Sequence, residues 1–372
     1  MAEPTGDGRE ELLWVVAVAG VTLVTVVAAF ATGAATGVPT GTVLAGYGGL
    51  ILVLMPFVLI AMAAVLTLRA AILRVGSPIA ASMPFLKARL GTPSLAAGTI
   101  APIMLTPFLL GAFGVLKQVM PLFEPFTWDS TFAKMGRLMF DGVSPWRITH
   151  AIFGSPLETM IIDRIYTAWI PLLFVAVLIF AILAPRDVRA RFFLSFSVAW
   201  VLLGLVGAFF FSSAGPCYAA AIGSSGAGDF RELMSTLRVI DASGYHLGAL
   251  EWQRRLWEAH QNRHYGFAMG ISAMPSMHNA ISLLYALAAS RAGLLVRAAT
   301  WLFALVILVG SVHLGWHYLV DGLFAWAAMG AIWWGAGAYL RKCGYERALA
   351  GRPVSSPKQD DGPTCEAGLL AA

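Results

Sequence analysis

The sequence predicts an all-α, polytopic transmembrane helix bundle with about eight membrane spans. Of the 372 residues, 58% are hydrophobic and only 12% are charged, whereas about a quarter of a typical soluble domain is charged. So few charges cannot cover the surface of a water-soluble protein of this length. The same composition excludes a disordered chain, a coiled coil and a disulfide-rich scaffold, which leaves an integral membrane protein.

Eight apolar runs are long enough to cross a bilayer, and each is bounded by charged residues, Gly or Pro. They lie near 12–31, 47–68, 98–116, 166–184, 192–212, 276–290, 293–312 and 318–340. The sixth run is short and spans only if its polar start lies at the membrane interface. The first run follows acidic residues, unlike a signal peptide, so we expect an uncleaved anchor, although Ala31–Ala35 leaves cleavage open.

Eight spans would put both chain ends on one face, and basic residues concentrate there. Fifteen of the 25 Lys and Arg fall on this face: Arg9, Arg69, Arg74, Lys87, Arg89, Arg186, Arg189, Arg191, Arg291, Arg297, Arg341, Lys342, Arg347, Arg352 and Lys358. Because short cytoplasmic connections are enriched in Lys and Arg, we expect cytoplasmic termini in a bacterial inner or plasma membrane. The net charge of +5 therefore reports membrane orientation, and no nucleic-acid partner is expected.

The expected outer face holds all seven histidines and two long segments, 117–165 and 213–275. The first segment has the amphipathic patches and tryptophans of a helical cap lying at the interface. The second begins rich in Gly and Ser and continues as a charged, helical stretch over Leu247–His260. Cys217 lies on this face without a disulfide partner and is expected to be a small apolar side chain.

The strongest chemical signal is the pair His317 and Asp321, which share a helical face if a span begins near His317. A carboxylate at membrane depth is costly and requires a partner. Bound to one imidazole nitrogen, it would fix the tautomer and leave the other nitrogen as a lone-pair donor. This arrangement indicates a nucleophile, and the alternative is a polar pair that only locks helix packing.

A second signal lies at the start of the sixth run. Pro275 suits the first turn of a helix and Ser276 can cap it. The free backbone amides of that turn, around Met277, can bind an anion, and His278 beside them could act as a general acid. The alternative is an ordinary interfacial histidine.

His313 is more ambiguous. It lies four residues before His317 and could share its helical face, but Gly315 favours a helix break that leaves His313 solvated in a loop. Acidic and aromatic residues of the first outer segment and its boundary could line a head-group pocket, although structural capping is the favoured interpretation. They are Asp129, Asp141, Asp163, Trp146, Tyr166 and Trp169.

The segment 275–278 (Pro-Ser-Met-His), followed about 40 residues later by 317–321 (His-Tyr-Leu-Val-Asp), resembles the second and third motifs of the type 2 phosphatidic acid phosphatase superfamily. Met before the motif histidine and the His-Tyr-x-x-Asp pattern resemble the inositol phosphorylceramide synthase branch, whose members are inositolphosphotransferases. The resemblance covers about 205–335 well and the first third of the chain hardly at all.

The resemblance implies a role for each matching residue. His317 would be the nucleophile that takes the phosphoryl group, Asp321 the carboxylate that orients it, and His278 the general acid for the leaving alkoxide. Such enzymes need no metal or other cofactor, and water or an acceptor alcohol resolves the phosphohistidine.

The resemblance also divides the chain into three parts. Residues 98–340 would form the six-helix catalytic core of the superfamily. Residues 1–97 would add two helices and a cytoplasmic linker in front of it. Residues 341–372 would be a cytoplasmic tail, disordered from about Gly351.

The first motif departs from the family pattern. Its usual Lys and Arg-Pro are replaced by Gly215, Pro216, Cys217 and Tyr218, and the Ser-Arg before the third motif is Gly310-Ser311. The phosphate charge would then fall to the amides at Ser276 and Met277, to His278, and to a loop arginine, for which Arg263 is the candidate. Gly215, Pro216 and Tyr218 remain candidates for substrate contact.

The missing cations favour transfer of a singly charged phosphodiester between lipids over hydrolysis of a phosphomonoester. The expected partners are membrane lipids, a phosphorylated lipid substrate and an optional lipid or polyol acceptor. Two other functions stay open. One is a zinc-dependent, ceramidase-like hydrolase with His278, His313 and His317 as ligands. The other is a transporter or scaffold without chemistry.

Overall fold

The computed structural model describes residues 9–72, 78–345 and 349, and these form helices without a β-strand. In order they are α1 (Glu11–Thr36), α2 (Thr40–Ile72), α3 (Pro78–Leu90), α4 (Pro93–Phe123), α5 (Asp129–Leu138), α6 (Pro145–Ile152), α7 (Pro156–Thr167), α8 (Trp169–Leu183), α9 (Arg186–Phe210), α10 (Ala227–Ile240), α11 (Gly248–Gln261), α12 (Met277–Ala288), α13 (Leu294–His313) and α14 (Leu319–Lys342). The predicted tail from Gly351 lies outside the described residues.

The predicted all-α membrane bundle is confirmed, but with fewer full-length spans than eight. Within the described ranges, six helices are long and apolar enough to cross a membrane: α1, α2, α4, α9, α13 and α14. The fourth expected span is instead the pair α7 and α8, which is bent by 43°. Counted as one span, this pair raises the number to seven.

The sixth expected span is α12, which is only 12 residues long, or about 18 Å. It packs against α9, α13 and α14, and nearly all of its residues are buried. Because protein rather than lipid surrounds it, its length need not match the bilayer. Arg291, just after its end, pairs with Asp187 at the start of α9, so the short helix still passes through the bundle.

Buried charges join several helix ends at that same end of the bundle. Arg186, at the start of α9, binds Glu11 at 2.6 Å and also binds Glu10. The Tyr345 hydroxyl, beyond α14, donates to Glu11 at 2.9 Å. Each charge has a partner, which is the condition under which charges are tolerated in an interior. The contacts place the starts of α1 and α9 beside the end of α14.

The two long outer segments fold into short helices at the other end of the bundle. Arg147 of α6 binds Asp229 of α10 at 2.8 Å and also binds Glu232. Asp163 of α7 accepts the backbone amides of Gly248 and Ala249, both at 2.8 Å, and so caps α11. This helix lies where the sequence predicts a charged helical stretch.

Candidate active site

Three chain segments meet at this capped end of the bundle. The amide of Ala273 donates to the Ser213 carbonyl at 2.9 Å, and the amide of Met274 donates to the Ser213 hydroxyl at 3.1 Å. The Cys217 amide donates to the Gly315 carbonyl at 2.9 Å. The region after α9, the region before α12 and the connection between α13 and α14 are therefore one hydrogen-bonded unit.

Asp129 of α5 is hydrogen-bonded to this unit. Its carboxylate accepts the amides of Ala214 at 2.9 Å and Gly215 at 2.8 Å, and the Tyr318 hydroxyl at 3.0 Å. Burial raises the pKa of Asp129, and these hydrogen bonds oppose that effect. Asp129 holds the first segment against the start of α14 and does not line the cavity described below.

Gly215 allows the first and third segments to approach. Its φ is +103°, and a Cβ atom there would lie 2.6 Å from the Trp316 carbonyl oxygen. No other residue fits this position without moving the backbone that carries His317. Gly215 thus positions the site by its lack of a side chain.

His317 is held in one tautomer. Its Nδ1 lies 2.8 Å from the Ala273 carbonyl oxygen, which can only accept, so Nδ1 carries the proton and donates it. The Asp321 Oδ2 atom lies 3.5 Å from the same nitrogen. The lone pair is therefore on Nε2, and the residue, which is 7% exposed, lines a cavity. The sequence predicted Asp321 as the orienting group; the closer partner is the Ala273 carbonyl.

Asp321 has a second task at the start of α14. Its Oδ2 accepts the Tyr318 amide at 2.9 Å, which satisfies a free N–H of the first helical turn. Its Oδ1 is buried without a hydrogen-bond partner in the described part of the chain. The carboxylate therefore both caps the helix and places negative charge behind His317.

His278 faces His317 across the same cavity. Their ring centroids are 6.1 Å apart. The His278 imidazole stacks on Tyr166 at 4.8 Å and lies 4.1 Å from the Trp169 ring. Both aromatic residues, which are sequence candidates for a head-group pocket, line the cavity.

Ser276 acts as the predicted N-cap of α12. Its hydroxyl accepts hydrogen bonds from the backbone amide of Asn279 and from the side-chain amide of the same residue, the latter at 3.0 Å. Asn279 also donates to the Ser311 hydroxyl at 3.2 Å, which joins α12 to α13. Ser276 is fully buried and does not line the cavity, whereas Met277 does.

The cavity has a volume of about 180 Å³ and is largely apolar. Among the described residues that line it, Lys117 of α4 is the only one with a formal charge. Its other lining residues include Tyr47, Leu110, Phe113, Ile170, Leu173, Phe174, Trp200, Trp252, Leu256, Phe267, Met269, Ile271 and Pro275. The two histidines thus share a chamber that suits an apolar molecule carrying one polar group.

The remaining candidates for substrate contact are dispersed. Tyr218 lines the cavity, and its hydroxyl donates to the Gln253 carbonyl at 2.9 Å. Pro216 lies in a small neighbouring cleft behind His317. Arg263 is exposed and lines a separate groove, so the structure does not bring it to the histidines.

His313 does not belong to the site, and the expectation that it is solvated in a loop is wrong. It is fully buried as the last residue of α13. Its Nε2 lies 3.0 Å from the Thr159 hydroxyl, and its ring stacks on His150 at 3.8 Å. The predicted break is present, since Gly315 has a φ of +74°. The preceding turn is buried because α6 and α7 pack over it.

The zinc alternative finds no support in this geometry. Within residues 9–72, 78–345 and 349, no group of three or more His, Cys, Asp or Glu side chains lies close enough to hold a metal ion. His313 contacts threonines, while His278 and His317 face the cavity.

The other acidic and aromatic candidates do not line the cavity, and two of them have structural hydrogen bonds elsewhere. Asp163 caps α11, and the Trp146 indole donates to Asp229 at 3.0 Å. Asp141 is exposed. The favoured interpretation of structural capping therefore fits Asp129 and Asp163.

Lys117 is the cavity residue that sequence reasoning missed. It directly follows the third apolar run and begins the segment 117–165, which is expected on the outer face. One sequence feature could have identified it: no other basic residue lies between Arg89 and Lys134.

Comparison with known families gives one match. The family model of the PAP2 superfamily matches residues 138–335, more than half of the chain. The matched region contains His278, His317 and Asp321 and ends before Lys342. Neither the curated proteins nor the solved structures gave a match.

Proposed function

Because the chain belongs to the PAP2 superfamily, we propose that it is a membrane lipid phosphatase or phosphotransferase that works through a phosphohistidine. The observation that carries the proposal is the pair of imidazoles on one cavity. His317 has its Nε2 lone pair available, and His278 lies 6.1 Å away between ring centroids. A fixed imidazole lone pair is a nucleophile, and a second imidazole nearby can transfer the proton.

In the first step, Nε2 of His317 attacks phosphorus. The bond from phosphorus to the ester oxygen breaks, its electron pair goes to that oxygen, and protonated His278 supplies the proton. The imidazole of His317 then carries positive charge. The Asp321 carboxylate, 3.5 Å from Nδ1, and the Ala273 carbonyl stabilise this charge.

In the second step, His278 is neutral and accepts a proton from the incoming hydroxyl group. The oxygen of that group forms a bond to phosphorus, and the nitrogen–phosphorus bond breaks with its electron pair returning to Nε2. Water as the acceptor gives a phosphatase, and an alcohol gives a transferase. Neither step requires a metal ion or another cofactor.

We favour transfer on a phospholipid or sphingolipid, with a lipid or polyol acceptor, as in the inositol phosphorylceramide synthase-like branch. The apolar and aromatic walls of the cavity support a substrate with hydrocarbon chains. Lys117 is the only Lys or Arg among the described residues that line the cavity, which supports a phosphate of low charge.

We also propose that the site opens to the outer face and that both termini are cytoplasmic. The support is the separation of basic residues from the site. Arg186 and Arg291 lie with Glu11 and Asp187 at the end of the bundle away from His278 and His317. Basic residues near helix ends favour the cytoplasmic side.

Trapping the phosphoenzyme tests the mechanism. Purified protein in lipid nanodiscs is mixed with ³²P-labelled phosphatidic acid, prenyl diphosphate or phosphoinositide, and the reaction is stopped in alkali, which preserves phosphohistidine. We expect acid-labile label on the parent protein, none on the His317→Ala variant, and slower labelling of His278→Ala.

The exposed His264 provides the matched control, because His264→Ala should label like the parent. Turnover by His317→Ala at the parent rate would refute the nucleophile. Lipid mass spectrometry of membranes with and without the chain then identifies the head group.

A further inference from the structure

We propose that Lys117 binds the phosphate group of the substrate and replaces the basic residues that the motif positions lack. The inference rests on the proposed function for its ligand. Lys117 lies on α4, outside the region that the PAP2 family model matches. It would be a phosphate ligand contributed by a different helix from those that carry the motifs.

The position of Lys117 supports this role. It lines the cavity together with His278 and His317. A phosphate between the two histidines would therefore lie within the field of the lysine ammonium.

Among the described residues, no carboxylate pairs with Lys117, and its Nζ lies 5.8 Å from the centre of the Phe113 ring. An ammonium group in an apolar cavity is costly unless an anion compensates it. A bound phosphate supplies that anion through a charge-assisted hydrogen bond.

Residues adjacent to Lys117 hold it in place. Gln118 accepts the Gly266 amide at 2.8 Å and donates to the Gly114 carbonyl at 2.7 Å. The same loop approaches α4 at Gly270, where a Cβ atom would lie 3.3 Å from the Lys117 Cγ. The loop that precedes the second motif thus closes over the stem of Lys117, which favours a preorganised site.

The charge that Lys117 supplies also indicates a substrate class. A phosphodiester carries one negative charge, which Lys117 can neutralise without the proton that His278 gives to the leaving oxygen, whereas a phosphomonoester carries up to two. The apolar wall runs from Leu110 to Lys117 on α4, about 10 Å along the helix. We infer that the preferred ligand is a lipid phosphodiester, with its phosphate at Lys117 and apolar chains along this wall.

Binding measured without turnover tests the inference. The His317→Gln protein, in nanodiscs, is titrated with dioctanoyl phosphatidylinositol and with dioctanoyl phosphatidic acid, which share acyl chains but differ in phosphate charge. Adding Lys117→Met should raise Kd for the diester about 30-fold or more, which is the lower end of the usual cost of losing a buried charged partner. Lys117→Arg should stay near the parent value. Lys134→Met removes an exposed lysine and is the matched control.

The parent should bind the diester more tightly than the monoester, and the reverse order would overturn the substrate class. Equal binding by Lys117→Met and its parent would overturn the role of Lys117. If Lys117→Met does not fold, Lys117→Gln serves as the neutral variant. If a phosphohistidine forms but binding does not depend on Lys117, only the role of Lys117 is refuted. If binding depends on Lys117 but no phosphohistidine forms, only the proposed mechanism is refuted.

Discussion

His317 is oriented by two acceptors with different consequences. The Ala273 carbonyl, at 2.8 Å, is enough by itself to keep the proton on Nδ1. The Asp321 carboxylate, at 3.5 Å, adds negative charge without being the closer partner. Tautomer selection and charge stabilisation are therefore divided between a backbone group and a side chain, and they can be separated by mutation.

Asp321→Asn should lower kcat without abolishing activity. Because the Ala273 carbonyl still fixes the tautomer, we expect a loss of about 10²-fold, not the roughly 10⁴-fold that a wrong tautomer costs in a comparable triad. KM should change little, since Asp321 lies behind His317 and does not line the cavity. Steady-state kinetics on the lipid substrate, with His317→Gln as the inactive reference, measure both. A loss as complete as that of His317→Gln would show that Asp321 controls the tautomer.

At this scale, helical spacing predicted that His317 and Asp321 lie together, and Ser276 predicted the start of α12. The expectation that Pro275 lies in the first turn is wrong, because Ser276 caps the helix and α12 begins at Met277. Spacing could not reveal the Ala273 carbonyl, because every residue carries one and only the tertiary fold selects it. Lys117 was also hidden, since it reaches the site from a helix distant in sequence. Arg263, chosen because it is close in sequence to the second motif, lies in another groove.

Among the elements, α5 controls how the outer segments meet the bundle. Its first residue, Asp129, accepts two amides of the segment after α9 and the hydroxyl of Tyr318. That segment contains Gly215, which lies against the Trp316 carbonyl beside His317. A residue outside the cavity therefore helps to fix the backbone position of His317.

Asp129→Asn should weaken both stability and activity. The amide nitrogen of Asn cannot accept a hydrogen bond, so at least one buried N–H loses its partner, at a cost of about 1–3 kcal/mol. We expect a lower midpoint of thermal unfolding and a reduced kcat. Asp141→Asn, an exposed position in the same outer segment, should leave both unchanged and controls for lost charge. An unchanged unfolding midpoint for Asp129→Asn would contradict the role assigned to this carboxylate.

Helix lengths were the least predictable feature of the elements. The run near 166–184 appears as one span by hydropathy, yet the helix breaks between Thr167 and Trp169. Pro171 explains the break, because its ring would clash with the Thr167 carbonyl in a continuous helix. The bend places Tyr166 and Trp169 against His278. Hydropathy identifies membrane segments but does not show which of them, like α12, are enclosed by protein.

The whole molecule is polarised along its helices. Paired charges around Glu11 and Arg186 occupy one end, and the two cavity histidines lie toward the other, under the helices of the outer segments. Long helices such as α9 and α14 connect the two ends. Because basic residues cluster at the first end, the positive-inside rule supports the proposal that this end is cytoplasmic and that the cavity faces the outer leaflet.

This orientation can be measured with matched serine-to-cysteine substitutions. Ser225 is exposed in the segment before α10, on the side of the site, and Ser290 is exposed between α12 and α13, beside the Arg291–Asp187 pair. In intact cells a membrane-impermeant maleimide should label the Ser225→Cys variant. The Ser290→Cys variant should be labelled only after the membrane is permeabilised, and the parent chain gives the background from native cysteines.

The reversed labelling pattern would place the histidines in the cytoplasm and overturn the proposed outer location. The catalytic geometry would be unaffected, because His317, His278 and Asp321 keep their contacts in either orientation. The source of the acceptor would change, since a cytoplasmic site meets a different pool of lipids and polyols. Labelling therefore decides which membrane leaflet should be searched for the substrate.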